Sequence, residues 1–457
     1  MFKRHTINMT EGPVTKNILA FALPIMLSGI LQLLYNAADL IVVGMFSDDS
    51  SVGAIGSTSS LVTLITNFAI GLSVGVNIII ARHIGAKDPR RADRALHTAA
   101  TVAIISGLLT CLVGFFISRQ ALEWMGATDN LIDKSEIYLQ IYFLGAPALV
   151  VYNFGSAALR SAGDTTRPLI FLTISGIVNV VFNLVFVIIF NMDVAGVALA
   201  TIISQYLSAF LVVWALKKGQ GMLFLNFKSI CFDKREFGEI IRLGIPAAIQ
   251  GAMFSISNVI IQSGVNSFGK DYVVDGSAAA SSIEGFVYTV MNAFYHAAMT
   301  FTSQNIGARK PSRIPKVIIS SCFLSFISWA VVASIVLLFP KPLIHLYIND
   351  PQAVNIAIER FHIVTAFYIL CGIMEISTGV LRGSGYSIAS MIISIIGVCG
   401  LRVVWVFTVF QRFHTFGILY WSYPVSWIPV IIANFAVFAV IYKKKLKPLS
   451  LEASKTI

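Results

Sequence analysis

Five ionisable side chains lie inside long apolar stretches of this sequence, namely Asp39, Glu284, His296, Glu375 and Arg402. If those stretches cross a lipid bilayer, each such group costs at least ~2.5–3.5 kcal/mol near the centre of the bilayer, so each is a candidate functional residue. Asp39 is the most informative, because a carboxyl group in an oily environment can bind and release a proton or hold a small cation. His296 is more typical of a hydrogen-bonded core histidine.

Three polar side chains are expected to share the depth of Asp39. Asn183 and Thr201 each lie seven residues from the outer end of their predicted helices, and Asn179 lies one turn deeper than Asn183 on the same face. Oxygen ligands of these types suit a proton relay or a weakly held cation, so they predict a coupling site for H⁺ or Na⁺. The alternative for the amides and the hydroxyl is structural hydrogen bonding between helices.

The chemistry of Asp39 indicates a mechanism. Removal of a carboxylate from water favours its neutral form, so protonation of Asp39 would remove the cost of burying its charge. The helix that carries Asp39 would then move only when the carboxyl group is protonated. Pro24 interrupts the backbone hydrogen bonds of the same predicted helix and is a candidate hinge. The alternative is a static kink that fits the packing.

A second set of side chains predicts a binding cleft. Glu284 and Arg402 lie at similar depths and either pair, which would make both structural, or remain separate. Glu375 has no evident basic neighbour and would suit a cationic solute as a counter-charge. The other candidates are aromatic, amide and thioether side chains near these acids: Tyr35, Asn36, Phe68, Tyr142, Asn153, Phe154, Asn258, Tyr288, Met291 and Tyr295.

The elements that carry these residues follow from composition. The 457 residues are 56% hydrophobic and 12% charged, with a mean hydropathy of +0.81, whereas a soluble domain is ~25% charged. The chain is therefore predicted to be an all-α polytopic membrane protein. A ~20-residue window predicts twelve transmembrane helices, at 18–46, 53–81, 95–118, 136–159, 168–190, 194–216, 238–266, 277–304, 317–339, 357–381, 386–410 and 416–442.

Basic residues predict the orientation in the membrane. Of the 33 Lys and Arg residues, 26 lie in loops or tails on one side and six on the other, which predicts that both termini are cytoplasmic in the cell membrane. The net charge of +11 comes from these basic residues in the loops between apolar stretches, so no nucleic-acid partner is expected. No motif of a catalytic centre is present, and neither an enzyme nor a bound cofactor or metal centre is expected.

An internal repeat organises the predicted helices. At an offset of 222 residues, Pro24 matches Pro246, Asn36 matches Asn258, and the Ile-Gly-Ala motif at 84–86 recurs at 306–308. Since this offset spans six helices, the repeat is parallel and predicts two six-helix lobes. The predicted domains are an N-terminal lobe (1–216), a cytoplasmic linker (217–242), a C-terminal lobe (243–442) and a basic cytoplasmic tail (443–457). Two lobes that rock around a central cleft predict alternating access.

Several motifs resemble those of the MATE (multidrug and toxic compound extrusion) family. They are the opening Met9-Thr-Glu-Gly-Pro13, the stretch Tyr35-Asn-Ala-Ala-Asp-Leu-Ile-Val-Val-Gly44, the repeated Ile-Gly-Ala loops and two Leu-Arg-x-x-Gly turns. Among its branches, the chain is most similar to the bacterial MepA and YoeA types. The resemblance implies a V-shaped antiporter that expels cationic drugs or metabolites against an inward H⁺ or Na⁺ gradient.

The resemblance also assigns site residues. The cation site of the family's first lobe matches Asp39, Asn179 and Thr201, but Asn183 stands where an Asp is common, which favours H⁺ over Na⁺. A second-lobe site of some members is expected to be missing, because Phe254 and Cys371 stand near the places of its acids.

We therefore expect a secondary active antiporter that exports organic cations, embedded in the bilayer and acting as a monomer. The alternative is a lipid-linked oligosaccharide flippase of the same superfamily, which would favour a basic cleft suited to pyrophosphate.

Overall fold

The computed structural model describes residues 6–46, 49–125, 129–219, 222–229 and 231–448, and every regular element within these ranges is helical. The helices of the first repeat are α1 Val14–Phe46, α2 Asp49–Gly85, α3 Pro89–Trp124, α4 Asp129–Leu144, α5 Ala146–Ser161, α6 Thr166–Leu184 and α7 Asp193–Lys217. Those of the second repeat are α8 Lys234–Asn266, α9 Asp271–Gly307, α10 Ile314–Leu338, α11 Pro340–Ile344, α12 Pro351–Arg360, α13 Tyr368–Gly383, α14 Ser387–Ser394, α15 Leu401–Trp405, α16 Gln411–Phe413 and α17 Phe416–Ile441.

These helices account for the twelve predicted spans. Nine helical stretches in the described part of the chain are long and apolar enough to cross a membrane, and two bent pairs, α4 with α5 and α12 with α13, bring the number to eleven. The span predicted at 277–304 coincides with α9, which is less apolar because Glu284, Asn292 and His296 interrupt it. Helices α14 to α16, joined by π-helical turns, form a single span.

The two bent spans have different local causes. Between α4 and α5 the direction changes by 45° at Gly145, and Pro147 follows in the first turn of α5, where its missing N–H leaves no helical hydrogen bond unsatisfied. Between α12 and α13 the change is 44°, and there the π-helical turn Phe361–Thr365 precedes the break.

The helices divide into two compact units. The first unit consists chiefly of Leu27–Ala248, and the second joins Ile7–Met26 to Ile249–Ile457. Leu27 and Ile249 are separated by the same 222 residues as the sequence repeat, and each follows a proline of the repeat, Pro24 or Pro246, by three positions. Each repeat therefore starts its first helix in one unit and completes it in the other.

Hydrogen bonds fix the beginnings of these two helices. In the second unit, Asn305 on α9 donates through Nδ2 to the carbonyl oxygen of Met9 at 3.0 Å. In the first unit, His83 at the end of α2 contacts the carboxylate of Glu236 in the first turn of α8 at 2.9 Å. Asn305 and His83 occupy equivalent positions of the repeat, so the internal symmetry extends to these anchoring contacts.

The domain boundaries drawn from the sequence, 1–216, 217–242, 243–442 and 443–457, stay a prediction. Residues 1–5 of the predicted first lobe, 220, 221 and 230 of the linker, and 449–457 of the predicted basic tail lie outside the described residues.

Candidate functional site

The four residues of the predicted coupling site lie together in the first unit. Asn183 on α6 donates through Nδ2 to Oδ1 of Asp39 on α1. The same Nδ2 lies 3.4 Å from Oδ1 of Asn179, and the Nδ2 atom of Asn179 lies 3.5 Å from Oγ1 of Thr201 on α7. Three helices thus join a carboxylate, two amides and a hydroxyl into one chain of contacts, which we call the Asp39 cluster.

The two asparagines of the Asp39 cluster are strongly buried, Asp39 and Thr201 are partly exposed, and the hydrogen bonding of the cluster is incomplete. Asn183 is fully buried, Asn179 is 5% exposed, and the Oδ1 atom of Asn183 has no hydrogen-bond partner. Within the described ranges, the Asp39 carboxylate forms no ion pair with Lys, Arg or His. Because an amide carries a donor and an acceptor, a rotated Asn183 could accept a hydrogen bond from a protonated Asp39.

Close packing of α1 on α6 positions the carboxylate. A Cβ atom at Gly176 would lie 1.9 Å from Cε2 of Tyr35, so only glycine leaves room for this ring. The hydroxyl group of Tyr35, one turn before Asp39, lies 3.4 Å from the carbonyl oxygen of Thr173. Tyr35 therefore helps to hold α1 against α6, while the neighbouring Asn36 is exposed.

Two tyrosines of α4 support the same region. Tyr138 lies close enough to Asp39 for an electrostatic interaction and stacks on Tyr142 with ring centroids 6.3 Å apart. The hydroxyl group of Tyr142 lies 3.3 Å from Oγ1 of Thr66 on α2. Sequence reasoning found Tyr142 but missed Tyr138, although their four-residue spacing places them on one helix face.

In the second unit, Glu284 pairs with Arg360, so the pairing with Arg402 considered from the sequence is wrong. Arg360 Nη2 lies 2.7 Å from Glu284 Oε2, and its Nε atom lies 3.2 Å from Oε1. Arg360 also donates to Ser277 and to the hydroxyl group of Tyr420, at 3.0 and 3.1 Å. Arg360 lies near the start of the span predicted at 357–381, and its long side chain is buried among hydrogen-bond acceptors.

Arg402 has other partners. Its guanidinium group lies 4.0 Å from the ring centroid of Tyr423 and donates to Ser426 Oγ at 3.3 Å and to Asn258 Oδ1 at 3.4 Å. A cation over an aromatic face is stabilised by the negative charge density of the ring. Asn258, a cleft candidate, is thus a partner of this buried cation.

Glu375 on α13 is 6% exposed and forms no ion pair in the described part of the chain. Arg382, two turns further along α13, donates instead to the hydroxyl group of Tyr295 and, at 2.7 Å, to Gln250 Oε1. Arg382 still interacts with Glu375 electrostatically, so the carboxylate has a basic neighbour that the sequence did not indicate.

The remaining cleft candidates occupy varied surroundings. Phe68 and Tyr288 are 42% and 38% exposed, whereas Met291 is fully buried and accepts a hydrogen bond from Ser325 at 3.2 Å. Asn153 donates to a carbonyl oxygen of its own helix, and Phe154 is buried. His296 lies edge-on against the ring of Tyr295, with centroids 4.9 Å apart. The described residues contain no cluster of three or more side chains suited to bind a metal ion.

Comparison with known proteins identifies the family. The MatE family model matches residues 24–185 and 246–408, two copies that start at Pro24 and Pro246. The chain belongs to the MatE family. The resemblance recognised in the sequence is thereby confirmed, and MatE membership makes the chain a membrane-embedded transporter and not an enzyme.

Individual relatives cover nearly the whole chain. The "Probable multidrug resistance protein YpnP" of Bacillus subtilis is 28% identical over 86% of this chain and 88% of its own length. The "Probable multidrug resistance protein YoeA" of the same bacterium is 25% identical and covers 96% of both chains. A solved structure described as a MOP superfamily transporter from Pyrococcus furiosus has a TM-score of 0.88 at 21% identity, covering 98% of this chain and 99% of that one. The predicted fold of twelve helices in two repeats is confirmed by this likeness.

Proposed function

We propose that this MatE transporter exports small organic molecules, principally cationic drugs or metabolites, in exchange for inward movement of H⁺, with Na⁺ as the alternative coupling ion. The names of the relatives YpnP and YoeA support drug-like substrates. The observation that carries the coupling assignment is the Asp39 cluster, in which a membrane-embedded carboxylate contacts a buried amide and has no basic partner in the described ranges.

The cluster suits a proton better than a permanent charge. Asn183 can donate to an ionised Asp39 or, after rotation of its amide, accept from a protonated one, because its Oδ1 atom has no other partner. An ionised and a neutral Asp39 can therefore both be accommodated, with different contacts between α1 and α6. Two states with different contacts are what coupling of a proton to a conformational change requires.

Movement of α1 would convert protonation into alternating access. Pro24 lies within α1, three residues before the position at which this helix passes from the second unit to the first. A proline in a helix interior weakens the local backbone hydrogen bonding. Protonation of Asp39 would relieve the cost of its buried charge and favour a different bend at Pro24.

Glu375 supports a cationic substrate. It is a buried carboxylate without an ion pair in the described part of the chain, and Tyr288 interacts with it electrostatically. A carboxylate beside an aromatic ring can bind an organic cation by charge and by cation–π attraction. The flippase alternative is not favoured, since the relatives are named for multidrug resistance and the Asp39 cluster is acidic rather than basic.

Ethidium transport into everted membrane vesicles tests the proposal. An acidic vesicle interior should drive ethidium uptake by the wild-type chain, and a Na⁺ gradient alone should have little effect. Asp39→Asn keeps the size and hydrogen bonding of the side chain but cannot exchange a proton, so uptake should fall to the background of vesicles without the transporter. Full proton-driven uptake by Asp39→Asn would refute the coupling role, and absence of uptake by the wild type under either gradient would refute efflux.

The proposed orientation has both termini in the cytoplasm, and Cys231 provides a native probe of it. This residue lies between α7 and α8 and is exposed, whereas the other four cysteines are buried or partly buried. A membrane-impermeant maleimide should label Cys231 in everted vesicles but not in intact cells, with Cys231→Ser as the control. Labelling in intact cells would reverse the orientation.

A further inference from the structure

The first unit contains an apolar groove that the proposed coupling mechanism does not use, although one cleft candidate, Phe154, lines it. Helices α3, α5 and α7 and the segment 222–229 line it; the lining side chains include Ala100, Ala103, Phe154, Leu216, Leu225 and Phe227. The small side chains of Ala100 and Ala103 on α3 leave room for the groove. Ile104 and Phe227 are 44% and 51% exposed, so the groove is open along one side.

The segment 222–229 is held in place by hydrogen bonds. The backbone N–H of Leu225 donates to the carbonyl oxygen of Leu216 at 3.1 Å, and the N–H of Asn226 donates to Nε2 of His97 at 3.1 Å. Leu225 and His97 are only 3% and 1% exposed. The segment is therefore built into the unit, and the groove is a fixed feature of this unit.

Three lysines adjoin lining residues of the groove along the chain, since Lys217 and Lys218 follow Leu216 and Lys228 follows Phe227. Lys217 Nζ lies 5.6 Å from the ring centroid of Phe227, which lines the groove, and Lys218 Nζ lies 4.7 Å from the ring of Trp214. Lys228 follows Phe227 directly and is exposed. None of these three lysines forms an ion pair with a residue that the structure describes.

We propose that this groove binds an anionic phospholipid, with one acyl chain between α3, α5 and α7 and the headgroup phosphate beside Lys217, Lys218 and Lys228. An apolar groove bordered by lysines that form no ion pair with described residues matches a ligand with a hydrocarbon tail and a negative headgroup, and basic pockets between transmembrane helices bind such lipids. A cationic solute would be repelled by the three ammonium groups. The proposal is independent of the transported substrate and of the coupling ion.

Native mass spectrometry of the purified full-length protein tests this site. Wild-type protein, titrated separately with phosphatidylglycerol and phosphatidylcholine of the same chain length, should retain the anionic lipid preferentially. The triple variant Lys217→Gln/Lys218→Gln/Lys228→Gln should lose that preference, because each lysine near a lipid phosphate contributes about a fivefold gain in affinity.

A matched control separates this groove from general attraction of basic surfaces. Lys443, Lys444 and Lys445 form another exposed cluster of three lysines, after α17. The variant Lys443→Gln/Lys444→Gln/Lys445→Gln removes the same charge and should keep the preference for phosphatidylglycerol. Equal losses in the two triple variants, or equal retention of both lipids by the wild type, would overturn the proposal.

A groove-filling variant tests the position of the acyl chain. Ala100→Phe leaves the lysines unchanged but occupies the space on α3, so it should weaken long-chain phosphatidylglycerol and leave the binding of dihexanoyl phosphatidylglycerol or inorganic phosphate unchanged. Unaltered long-chain binding in a folded Ala100→Phe protein would exclude the groove. If Ala100→Phe binds none of these ligands and circular dichroism shows that it is unfolded, the smaller substitution Ala103→Val replaces it. Weakened long-chain binding by Ala103→Val would then support the groove, and unaltered long-chain binding would exclude it.

Discussion

The two units contain the same repeated helices but place Asp39 and Glu284, one acid in each unit, in opposite surroundings. In the first unit, Asp39 contacts the amide of Asn183, and within the described ranges no basic side chain pairs with it. In the second unit, Glu284 is held by the guanidinium group of Arg360 at 2.7 Å. An acid that faces amides can change its protonation state, whereas an acid in a buried ion pair is stabilised in its charged form by its partner.

The second unit lacks the residue types of the Asp39 cluster at the equivalent positions of the repeat. Positions 222 residues after Asp39, Asn179, Asn183 and Thr201 are occupied by large, mainly apolar side chains, namely Ile261, Leu401, Trp405 and Tyr423. Ile261 is 3% exposed within a hydrophobic core, and Tyr423 packs under Arg402. The comparison supports the proposal that Asp39 couples the ion in the first unit, whereas in the second unit Glu284 is held in an ion pair and Glu375 has none within the described ranges.

The largest effect is expected from Asp39→Asn, which should abolish proton-driven ethidium uptake while leaving folding intact. The reason is that an amide can hydrogen-bond to Asn183 but cannot take up and release a proton. Uptake in everted vesicles measures transport, and the thermal unfolding midpoint in detergent measures folding. The converse variant Ile261→Asp places an acid at the equivalent position of the second unit. Rescue of Asp39→Asn by Ile261→Asp would contradict the asymmetry of the units.

Glu284→Gln should lower the stability of the folded protein. It leaves the guanidinium group of Arg360 buried without its carboxylate, and breaking a buried pair costs ~3–5 kcal/mol. Thermal unfolding should show a large fall in the midpoint for the single variant. The double variant Glu284→Leu/Arg360→Met removes both charges and should recover most of the loss; if the single variant unfolds at the wild-type temperature, the pair is not structural.

Asn183→Asp should change the coupling ion of the first unit. A second carboxylate beside Asp39 increases the attraction for a cation with oxygen ligands, so a Na⁺ gradient should begin to drive ethidium uptake that it does not drive in the wild type. Uptake at constant pH with and without Na⁺ measures this change. Asn179→Asp, one turn away in the same cluster, is the matched control for the position of the added charge. A purely proton-driven Asn183→Asp transporter would show that the charge at this position does not select the ion.

The smallest effect concerns the capping of α8. The backbone N–H groups of Glu236 and Arg235 donate to the Asp233 carboxylate at 3.2 and 2.9 Å and lower its pKa below the usual value. This stabilisation is fully present above the ordinary aspartate pKa of ~3.9 and is lost as the pH falls through the lowered value. Asp233→Ala should therefore speed hydrogen exchange in the first turn of α8 at pH 7, with Asp233→Asn close to the wild type. A difference between the alanine variant and the wild type that persists below the lowered pKa would contradict the capping role.

Much of this site could be predicted from sequence, because the number of residues from the end of a membrane-spanning helix gives the depth of a side chain in the bilayer. Asn179 and Asn183 are four residues apart and must share a face, and counting from the helix ends placed them level with Asp39, as their contacts confirm. The same counting failed for Arg360. It lies at the edge of an apolar run, and its position along the chain does not reveal that its long side chain reaches Glu284.

The membrane class, the twelve helices, the repeat and the polar residues at the level of Asp39 could all be read from the amino-acid order, because hydropathy, periodicity and repeat offset are properties of the linear chain. The partner of each acid could not, since Glu284 and Arg360 lie 76 residues apart and are joined by helix packing. Tertiary structure also decided that α1 and α8 pass between units after Pro24 and Pro246. The physical reason is that a sequence specifies depth along a helix, whereas the direction in which a side chain points depends on the rotation of the helix against its neighbours.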